Sequence, residues 1–295
     1  MLKKVYIVTV VYSDPKDQFR SFIKSLKKIR DINFSVIIIN NNAKTTWLSE
    51  ICEKYSNILV VESKINIGFC AGSNLGIKKA LSMGAEYILL LNGDTEVYSN
   101  VLSEMIEYST KYEIGILSPI ILSADRKSIF YAGGVISKLF GYTRQPAIGK
   151  EYSNFIYQSG PTGYASGCCM LIQANVFEKI GFLDKDYFMY FDDPDFSLRA
   201  KKANFKVHLL AKPLVYHINS SNKLGENAAY YYGRNPFLLI RKFFPWYFWP
   251  TAFFGQFLIR LPRNIFRLKN KDAFKNYLLG IYHGLIGKIG RKQSS

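Results

Sequence analysis

Acidic side chains that could do chemistry occur at two places in the sequence. The first is Asp94, which follows the apolar run 87–91 and the turn dipeptide Asn92-Gly93. A carboxylate at the end of a buried strand can hold a divalent metal ion, which prefers oxygen ligands and neutralises phosphate charge. Asn-Gly is also a common turn dipeptide, so this motif alone leaves an ordinary turn as the alternative.

The second group lies in the stretch FMYFDDPDFSLR, which contains Asp192, Asp193 and Asp195. Clustered carboxylates repel each other, and a catalytic base, a metal ligand or a helix cap would each be a reason to keep them. Arg199 lies four residues after Asp195 and can pair with it on one face of a helix. The flanking aromatic residues favour a partly buried cleft over an acidic, solvated turn.

The elements that must position these groups follow from the hydrophobic pattern. Apolar runs predict strands at 5–12, 35–40, 58–63 and 87–91, with helices at 16–29, 45–55 and 66–84. We take Ser13 or Asp14 as the cap of the first helix. This alternation predicts an α/β fold with a mainly parallel sheet covered on both faces. Ligands of such sheets bind beyond the carboxyl ends of the strands, where the polar clusters of this chain fall.

Later segments extend this pattern. We predict a helix at 100–112, a strand and helix within 167–184, a helix whose first turn holds Pro194, and a strand at 206–217. His217 ends that strand, although a lone histidine is more often structural than a ligand. The Gly-rich stretch 66–77 resembles a phosphate cradle but lacks the usual glycine spacing, so a tight turn into a helix is the alternative.

The last quarter of the chain is basic and aromatic. Residues 221–295 carry 13 Lys and Arg against two acidic residues, which is +11 of the formal net charge of +17. The uncharged run 243–259 contains two prolines and is short of the roughly 20 residues that a membrane-spanning helix needs. Aromatic residues beside Lys and Arg are typical of segments at an anionic membrane surface. A packing appendage or a homodimer surface is the alternative.

The cysteines and the N-terminal residues indicate the cellular compartment of the protein. The four cysteines have neither zinc-ligand spacing nor a disulfide framework. The first apolar run is too short for a signal peptide and is better interpreted as a strand. We expect a cytoplasmic protein that is peripheral at the inner face of the cell membrane.

The motifs, in this order, resemble glycosyltransferase family 2 with the GT-A fold, and within it the bacterial rhamnosyltransferase-like enzymes of surface polysaccharide assembly. The matching stretches are VTVVYSD, VIIINNNAKT, NIGFCAGSNLGI, YILLLNGDTEV, ASGCCMLIQANVFEKIGFLDKDYFMYFDDPDFSLRAKKANFKV and VYH. The resemblance implies a hexosyltransferase with a GT-A domain over residues 1–220. Residues 221–295 would form a helical segment that associates with a membrane or a second copy.

The resemblance also implies a role for each matching position. Asp193 would be the catalytic base of an inverting transfer, supported by Asp192, Asp195 and Arg199. Asp94 and His217 would bind Mg²⁺ or Mn²⁺. Arg234 would meet the phosphates of the acceptor. The nucleotide-sugar donor would contact Thr9, Val11, Tyr12, Asp14, Asn40, Asn42, Gly68, Gly72, Asn74, Asn92, Gly93 and Asp94. Asn40 and Asn92 stand where the family usually has aspartate, so Asp94 is the only carboxylate of the metal motif.

The implied reaction moves a sugar, best matched by rhamnose from dTDP-rhamnose, onto a polyprenyl-diphosphate-linked saccharide. UDP-galactofuranose, UDP-glucose and UDP-N-acetyl sugars are alternative donors. A nucleotidyltransferase is disfavoured because YSDPKD follows the first strand, where those enzymes usually have a basic Gly-rich loop. A nucleic-acid-binding protein is disfavoured because no nucleic-acid motif accompanies the basic residues, and we expect no nucleic-acid partner.

Overall fold

The computed structural model describes residues 3–12, 14–42, 45–137, 139–218 and 223–292. Its strands are β1 (Val5–Val11), β2 (Phe34–Asn40), β3 (Ile58–Glu62), β4 (Tyr87–Leu91), β5 (Thr95–Val97), β6 (Ile116–Ser123), β7 (Ile129–Tyr131), β8 (Val135–Ser137), β9 (Tyr142–Arg144), β10 (Gly160–Pro161), β11 (Cys169–Gln173) and β12 (Val207–His217). Its helices are α1 (Lys16–Leu26), α2 (Trp47–Cys52), α3 (Gly68–Ser82), α4 (Val101–Tyr112), α5 (Ala174–Ile180), α6 (Asp192–Lys202), α7 (Glu226–Phe243), α8 (Trp249–Gly255), α9 (Leu261–Ile265) and α10 (Lys271–Leu285).

Most of these strands form one mixed sheet in the order β10-β12-β6-β11-β4-β1-β2-β3. β3, β2, β1 and β4 pair in parallel, and so do β6 and β12. β11 is antiparallel to both β4 and β6, so it joins two groups of strands that run in the same direction. The prediction of a mainly parallel sheet is therefore confirmed, with β11 as an antiparallel insertion.

The parallel strands are apolar throughout because helices cover both of their faces. All five residues of β4 are buried, and successive residues of β1 serve different core clusters. Ile7 packs in the cluster of α1, and Val8 packs in that of α3. Gly76 brings α3 close to the sheet, because a Cβ at this position would lie 2.5 Å from the Val8 side chain. Because these strands run in the same direction, their carboxyl ends lie at one edge of the sheet.

The start of α1 differs from the prediction. The helix begins at Lys16 after an extended Pro15, and no side chain caps it. Asp14 instead accepts a hydrogen bond of 3.1 Å from the Tyr12 amide, because its side chain turns back toward β1. Ser13, the other predicted cap, lies outside the described residues.

The C-terminal helices pack on the sheet domain and on each other. Leu239 of α7 belongs to the core cluster that also contains residues of α3 and α6. Gly280 lets α10 approach α7, because a Cβ there would lie 2.1 Å from the Tyr230 carbonyl oxygen. No helix in the described part of the chain is both long and apolar enough to span a bilayer. The predicted domain boundary at residue 220 falls in 219–222, outside the described residues.

Candidate active site

The carboxyl ends of β4 and β12 meet at one edge of the sheet. The Asp94 carbonyl oxygen accepts a hydrogen bond of 2.9 Å from the Ile218 amide. β5 runs antiparallel to the end of β12, with Thr95 opposite His217. This pairing joins residues that are more than a hundred positions apart in the chain, and it sets the Asp94 side chain beside the His217 ring.

Asp94 and His217 form a carboxylate–imidazole pair. His217 Nε2 lies 3.4 Å from Asp94 Oδ2, and the imidazole stacks on Phe130 with 4.2 Å between ring centroids. Burial raises the pKa of Asp94 to about 6 and lowers the pKa of His217 to about 4, because it disfavours both charged forms. At pH 7 the pair is therefore an ionised carboxylate beside a neutral imidazole.

This pair fits a divalent cation. Within the described residues, the buried Asp94 Oδ1 and His217 Nδ1 atoms have no hydrogen-bond partner. An ionised carboxylate and a neutral imidazole are both metal ligands. The described residues contain no group of three or more His, Cys, Asp or Glu side chains that could hold a metal. Phosphate oxygens and water would therefore supply the remaining ligands, as is usual for Mg²⁺ at phosphate sites.

The second acidic group lies in the first turn of α6. Asp192 is 4% exposed, whereas Asp193 is half-buried. Asp193 Oδ2 accepts a hydrogen bond of 3.4 Å from the Gly167 amide. Burial raises the pKa of both carboxyl groups, that of Asp193 to about 7. Asp193 is thus the more accessible acid of the two, and its pKa lies near neutrality.

Asp195 has a different environment. Its side chain is fully buried, and its carboxylate accepts a hydrogen bond of 2.7 Å from Arg199 Nε and a second one from Lys242 Nζ. The pairing of Asp195 with Arg199 is as predicted from their spacing. Lys242 was not predicted, because it lies on α7 and no local pattern connects it with α6. Asp195 therefore links α6 to the C-terminal segment through Lys242.

Gly167 and Cys168 connect the two acidic groups. Gly167 donates to Asp193, and the Cys168 carbonyl oxygen accepts a hydrogen bond of 3.0 Å from the Asn92 amide. Burial raises the pKa of the Cys168 thiol, and the charges of Asp94 and Asp193 raise it further. Asp193 and the turn that carries Asp94 therefore both contact the segment Gly167-Cys168.

The predicted nucleotide side of the cleft follows β1 and β2. Thr9 is buried, and its Oγ1 atom has no partner among the described residues. A Cβ on Gly93 would lie 3.6 Å from that oxygen, so the turn after β4 lies against Thr9. Asn42 Nδ2 donates a hydrogen bond of 2.7 Å to the carbonyl oxygen of Tyr12, whose side chain is exposed.

Asn41 is a further residue of this region that the sequence analysis did not single out. Its side chain donates to Asn66 Oδ1 at 3.0 Å and accepts from the Ile67 amide at 3.0 Å. It thereby ties the end of β2 to the turn before α3. The run of three asparagines was the available signal, but it does not reveal which of them makes these contacts.

Several predicted donor contacts have packing or hydrogen-bonding roles instead. Val11 is fully buried, and the Asn40 carboxamide bonds within its own turn, to Thr45 and Asn42. Asn74 exchanges hydrogen bonds of 2.8 and 3.0 Å with the backbone of Leu183. These side chains therefore stabilise the surrounding backbone by contacts within the protein.

The two predicted glycines also serve close packing. Gly68 has a φ of +85°, and a Cβ there would lie 2.6 Å from the Phe188 ring. A Cβ on Gly72 would lie 3.1 Å from the Val10 side chain. Both glycines allow α3 to approach neighbouring elements, which explains the Gly-rich stretch without a phosphate.

The predicted contact between Arg234 and the acceptor phosphates is wrong. Arg234 is fully buried, and its guanidinium donates to the carbonyl oxygens of Asp186 and Tyr187 at 2.9 Å each and to that of Gly290. The reason is its position on the inner face of α7, where the helix contacts the loop before α6. Arg234 therefore supports the loop before α6 and is not accessible to a substrate.

Comparisons with known proteins agree with this geometry. The model of Glycosyl transferase family 2 matches residues 6–181. The low-salt glycan biosynthesis hexosyltransferase Agl10 of Haloferax volcanii is 30% identical over 214 residues, which are 70% of this chain and 64% of Agl10. The chain thus spans just under two thirds of that relative's length.

Two further relatives are named for rhamnosyl transfer. The dTDP-rhamnosyl transferase RfbF of Shigella flexneri is 25% identical over 252 residues, which are 82% of this chain and 81% of RfbF. The N-acetylglucosaminyl-diphospho-decaprenol L-rhamnosyltransferase of Mycobacterium tuberculosis is 21% identical over 232 residues, which are 72% of this chain and 75% of that protein.

Solved structures share the fold. GalNAc-T7, crystallised with UDP, GalNAc and Mn²⁺, superposes with a TM-score of 0.61 at 14% identity, over 74% of this chain and 44% of that one. TarS 1–349 of S. aureus superposes with a TM-score of 0.60 at 14% identity, over 95% of this chain and 80% of that one. The likeness confirms the predicted GT-A fold, and the family match shows that the chain belongs to glycosyltransferase family 2.

Proposed function

We propose that this glycosyltransferase is an inverting enzyme that moves rhamnose from dTDP-rhamnose to a saccharide carried on a lipid diphosphate. The names of two relatives support the sugar, and the name of the mycobacterial relative supports a diphosphate-linked acceptor. The observation that carries the proposal is the position of Asp193. It is a half-buried carboxylate with a pKa near 7 that bonds to Gly167, and we infer that it faces one cleft with Asp94 and His217.

Asp193 is suited to activate the acceptor. A sugar hydroxyl is a poor nucleophile at neutral pH, so a base must take its proton as it attacks. The acceptor oxygen would bond to the anomeric carbon of the donor sugar while the bond from that carbon to the diphosphate oxygen breaks. The hydroxyl proton would pass to the Asp193 carboxylate, and the nucleoside diphosphate would leave from the opposite face. With a pKa near 7, a large fraction of this carboxyl group is ionised at neutral pH, and the ionised form is a stronger base than an ordinary carboxylate.

The other end of the cleft is suited to the leaving group. Asp94 and His217 would hold Mg²⁺ or Mn²⁺, which supplies neutralisation of the charge on the diphosphate when bound. Asn92 and Gly93 shape the turn that carries Asp94. Thr9, Tyr12, Asp14 and Asn42 would contact the nucleotide, since they surround the ends of β1 and β2.

The C-terminal segment is suited to an anionic membrane surface, where a lipid-linked acceptor resides. It carries large apolar side chains that are exposed, with Trp246 77% and Phe266 81% exposed. Tyr247, Phe254 and Leu258 are exposed as well, and we infer that these five side chains form one apolar face. No acidic residue lies between Glu226 and Asp272, so a symmetric dimer through this face would bring like charges together. Anionic lipid is the better complement.

Replacement of the base tests the proposal. Asp193→Asn should lower rhamnosyl transfer by about 10²- to 10⁴-fold, because an amide cannot accept the proton. The variant should still bind dTDP, measured by thermal shift, because its side chain has the same shape. The matched control is Asp186→Asn, which loses one carboxylate in the loop before α6. Full activity in Asp193→Asn would show that Asp193 is not the base. Transfer from a UDP-sugar but not from dTDP-rhamnose would show that the proposed donor is wrong.

A further inference from the structure

Arg260, in the π-helical segment Gln256–Arg260, is a buried cation without an acidic partner. It is 9% exposed, and its Nε atom has no hydrogen-bond partner among the described residues. No ion pair found in that part of the chain includes it. Burial lowers the pKa of its guanidinium, because it disfavours the charged form. A buried charge of this kind normally has a counter-ion.

Aromatic rings, and not carboxylates, surround this guanidinium. Its Cζ atom lies 4.6 Å from the ring centroid of Phe191 and 5.8 Å from that of Tyr232. Arg267 approaches the same Tyr232 ring, with its Cζ atom at 5.4 Å. Cation–π contacts offset only part of the cost of burying a charge. Arg260, Arg267 and Tyr232 thus form a cationic pocket, in which the Arg260 guanidinium has no carboxylate partner among the described residues.

This pocket adjoins the catalytic acids. Phe191 directly precedes Asp192 at the start of α6. Tyr190 and Tyr232 pack with 4.8 Å between ring centroids. Burial raises the pKa of the Tyr190 hydroxyl, with smaller effects from Tyr232, Asp94 and Asp192 that raise it and from Arg267 that lowers it. Tyr190 thus lies within electrostatic reach of both the acids and the arginine pair.

The same segment carries part of the exposed apolar face. Phe257, Leu258 and Ile259 directly precede Arg260 and are 39%, 58% and 41% exposed. Phe266, which precedes Arg267, is 81% exposed. The cationic pocket is therefore next to the surface that we assign to the membrane on one side and next to the catalytic helix on the other.

We propose that Arg260 binds the diphosphate of the lipid-linked acceptor, with Arg267 contributing to the positive charge nearby. This inference rests on the proposed function, because it takes the acceptor to be a lipid diphosphate. A diphosphate provides the missing negative charge, and guanidinium groups bind phosphate oxygens in a bidentate manner. The donor diphosphate would instead be neutralised by the divalent cation that Asp94 and His217 would hold. A diphosphate held between the membrane face and α6 would present the attached sugar to Asp193.

The first test compares two arginines of the same region. Arg260→Gln should raise the KM for the diphosphate-linked acceptor by at least about tenfold, with the KM for dTDP-rhamnose unchanged. Arg263→Gln is the matched control, since Arg263 is exposed and its loss changes the net charge equally. It should change the acceptor KM less than about twofold. An unchanged acceptor KM in Arg260→Gln, or equal changes in both variants, would overturn the assignment.

The second test does not need sugar transfer, so it separates this inference from the proposed function. Geranyl diphosphate, a short prenyl diphosphate, is titrated into the protein saturated with dTDP and Mn²⁺. Wild type should bind geranyl diphosphate, and Arg260→Gln should bind it at least about tenfold more weakly. Neither protein should bind geraniol, which lacks the diphosphate. Binding that is equal in the two proteins contradicts the inference even if the wild type transfers rhamnose. Failure of transfer with intact geranyl diphosphate binding contradicts only the proposed function.

Two further measurements exclude other roles for the arginine. Binding to vesicles of phosphatidylglycerol should be the same for Arg260→Gln and Arg263→Gln, and a selective loss in Arg260→Gln would indicate a lipid headgroup as the ligand instead. Arg260→Met should melt at the same or a higher temperature than wild type without ligand, because it removes an unpaired buried charge. A lower melting temperature would make Arg260 a structural residue and overturn the proposal.

Discussion

The side-chain amide of Asn235 donates a hydrogen bond of 2.8 Å to the carbonyl oxygen of Tyr190. The same amide donates to the Met189 carbonyl oxygen at 2.8 Å. Tyr190 and Phe191 have positive φ angles of 63° and 70°, a conformation that costs about 1–2 kcal/mol per residue for side chains other than glycine. A residue of the C-terminal helix α7 therefore holds a strained loop directly before the catalytic acids.

Loss of this support should affect catalysis more than donor binding. In Asn235→Ala the Tyr190 and Met189 carbonyl oxygens lose their donor, so Asp193 is held less well and kcat should fall about tenfold or more, because misplacement of a catalytic group is costly. The thermal shift produced by dTDP should be unchanged. Asn227→Ala, an exposed position of the same helix, is the control. An equal kcat in the two variants would show that the loop keeps its shape without Asn235.

The pH dependence of transfer should follow Asp193. Its pKa is raised by burial from 3.8 to about 7, and only the ionised form can accept a proton. The value of kcat/KM should therefore fall about tenfold per pH unit below pH 7 and reach a plateau above it. Initial rates between pH 5.5 and pH 9, with nucleotide affinity measured over the same range, would check this. A profile that stays flat down to pH 5.5 is incompatible with Asp193 as the base.

Metal removal should weaken nucleotide binding. With Asp94 and His217 as ligands, dTDP should raise the melting temperature more with Mn²⁺ or Mg²⁺ than with EDTA, because a cation held by this pair would neutralise charge on the diphosphate. In Asp94→Ala the metal-dependent part should disappear, and in His217→Ala it should decrease. Glu96→Ala, two residues from Asp94, is the control. An equal dTDP shift with and without metal in wild type would exclude this role for the pair.

The exposed apolar face should govern membrane binding. Replacing both Trp246 and Phe254 by serine removes two large exposed side chains and should weaken binding to phosphatidylglycerol vesicles by about tenfold or more. High salt should weaken the binding of wild type, because cationic residues contribute to it. Ile156→Ser, which is 98% exposed but outside the C-terminal segment, is the control. Sedimentation with vesicles measures the binding of wild type, the double variant and the control variant. A double variant that binds like wild type would show that this face does not bind the membrane.

Local patterns were sufficient for much of the fold. β1, β2, β3 and β4 are continuous apolar runs, and such runs end where the parallel strands end. The pairing of Asp195 with Arg199 is also local, because residues four apart share one face of a helix. The short strands β5, β7 and β10 were not predicted, since segments of two or three residues have no measurable periodicity.

Burial of the polar residues was not predictable in the same way. Arg234 and Arg260 both belong to the basic C-terminal segment, and the amino-acid composition does not distinguish their roles. Packing separates them: Arg234 bonds to backbone carbonyl oxygens before α6, whereas Arg260 has aromatic neighbours and an unpaired Nε atom. Lys242 likewise reaches Asp195 only because α7 packs beside α6.

The amino-acid sequence by itself determined the alternating elements, the family resemblance and the identity of the acids at 94 and 193, because each depends on neighbouring residues and their periodicity. Only the tertiary structure decided that both acids lie near the segment Gly167-Cys168, that α7 supports the loop before Asp193, and that Arg260 has no counter-ion among the described residues. Those relationships depend on contacts between segments 40 to more than 100 residues apart, where hydrophobic packing and not local conformational preference sets the distance between side chains.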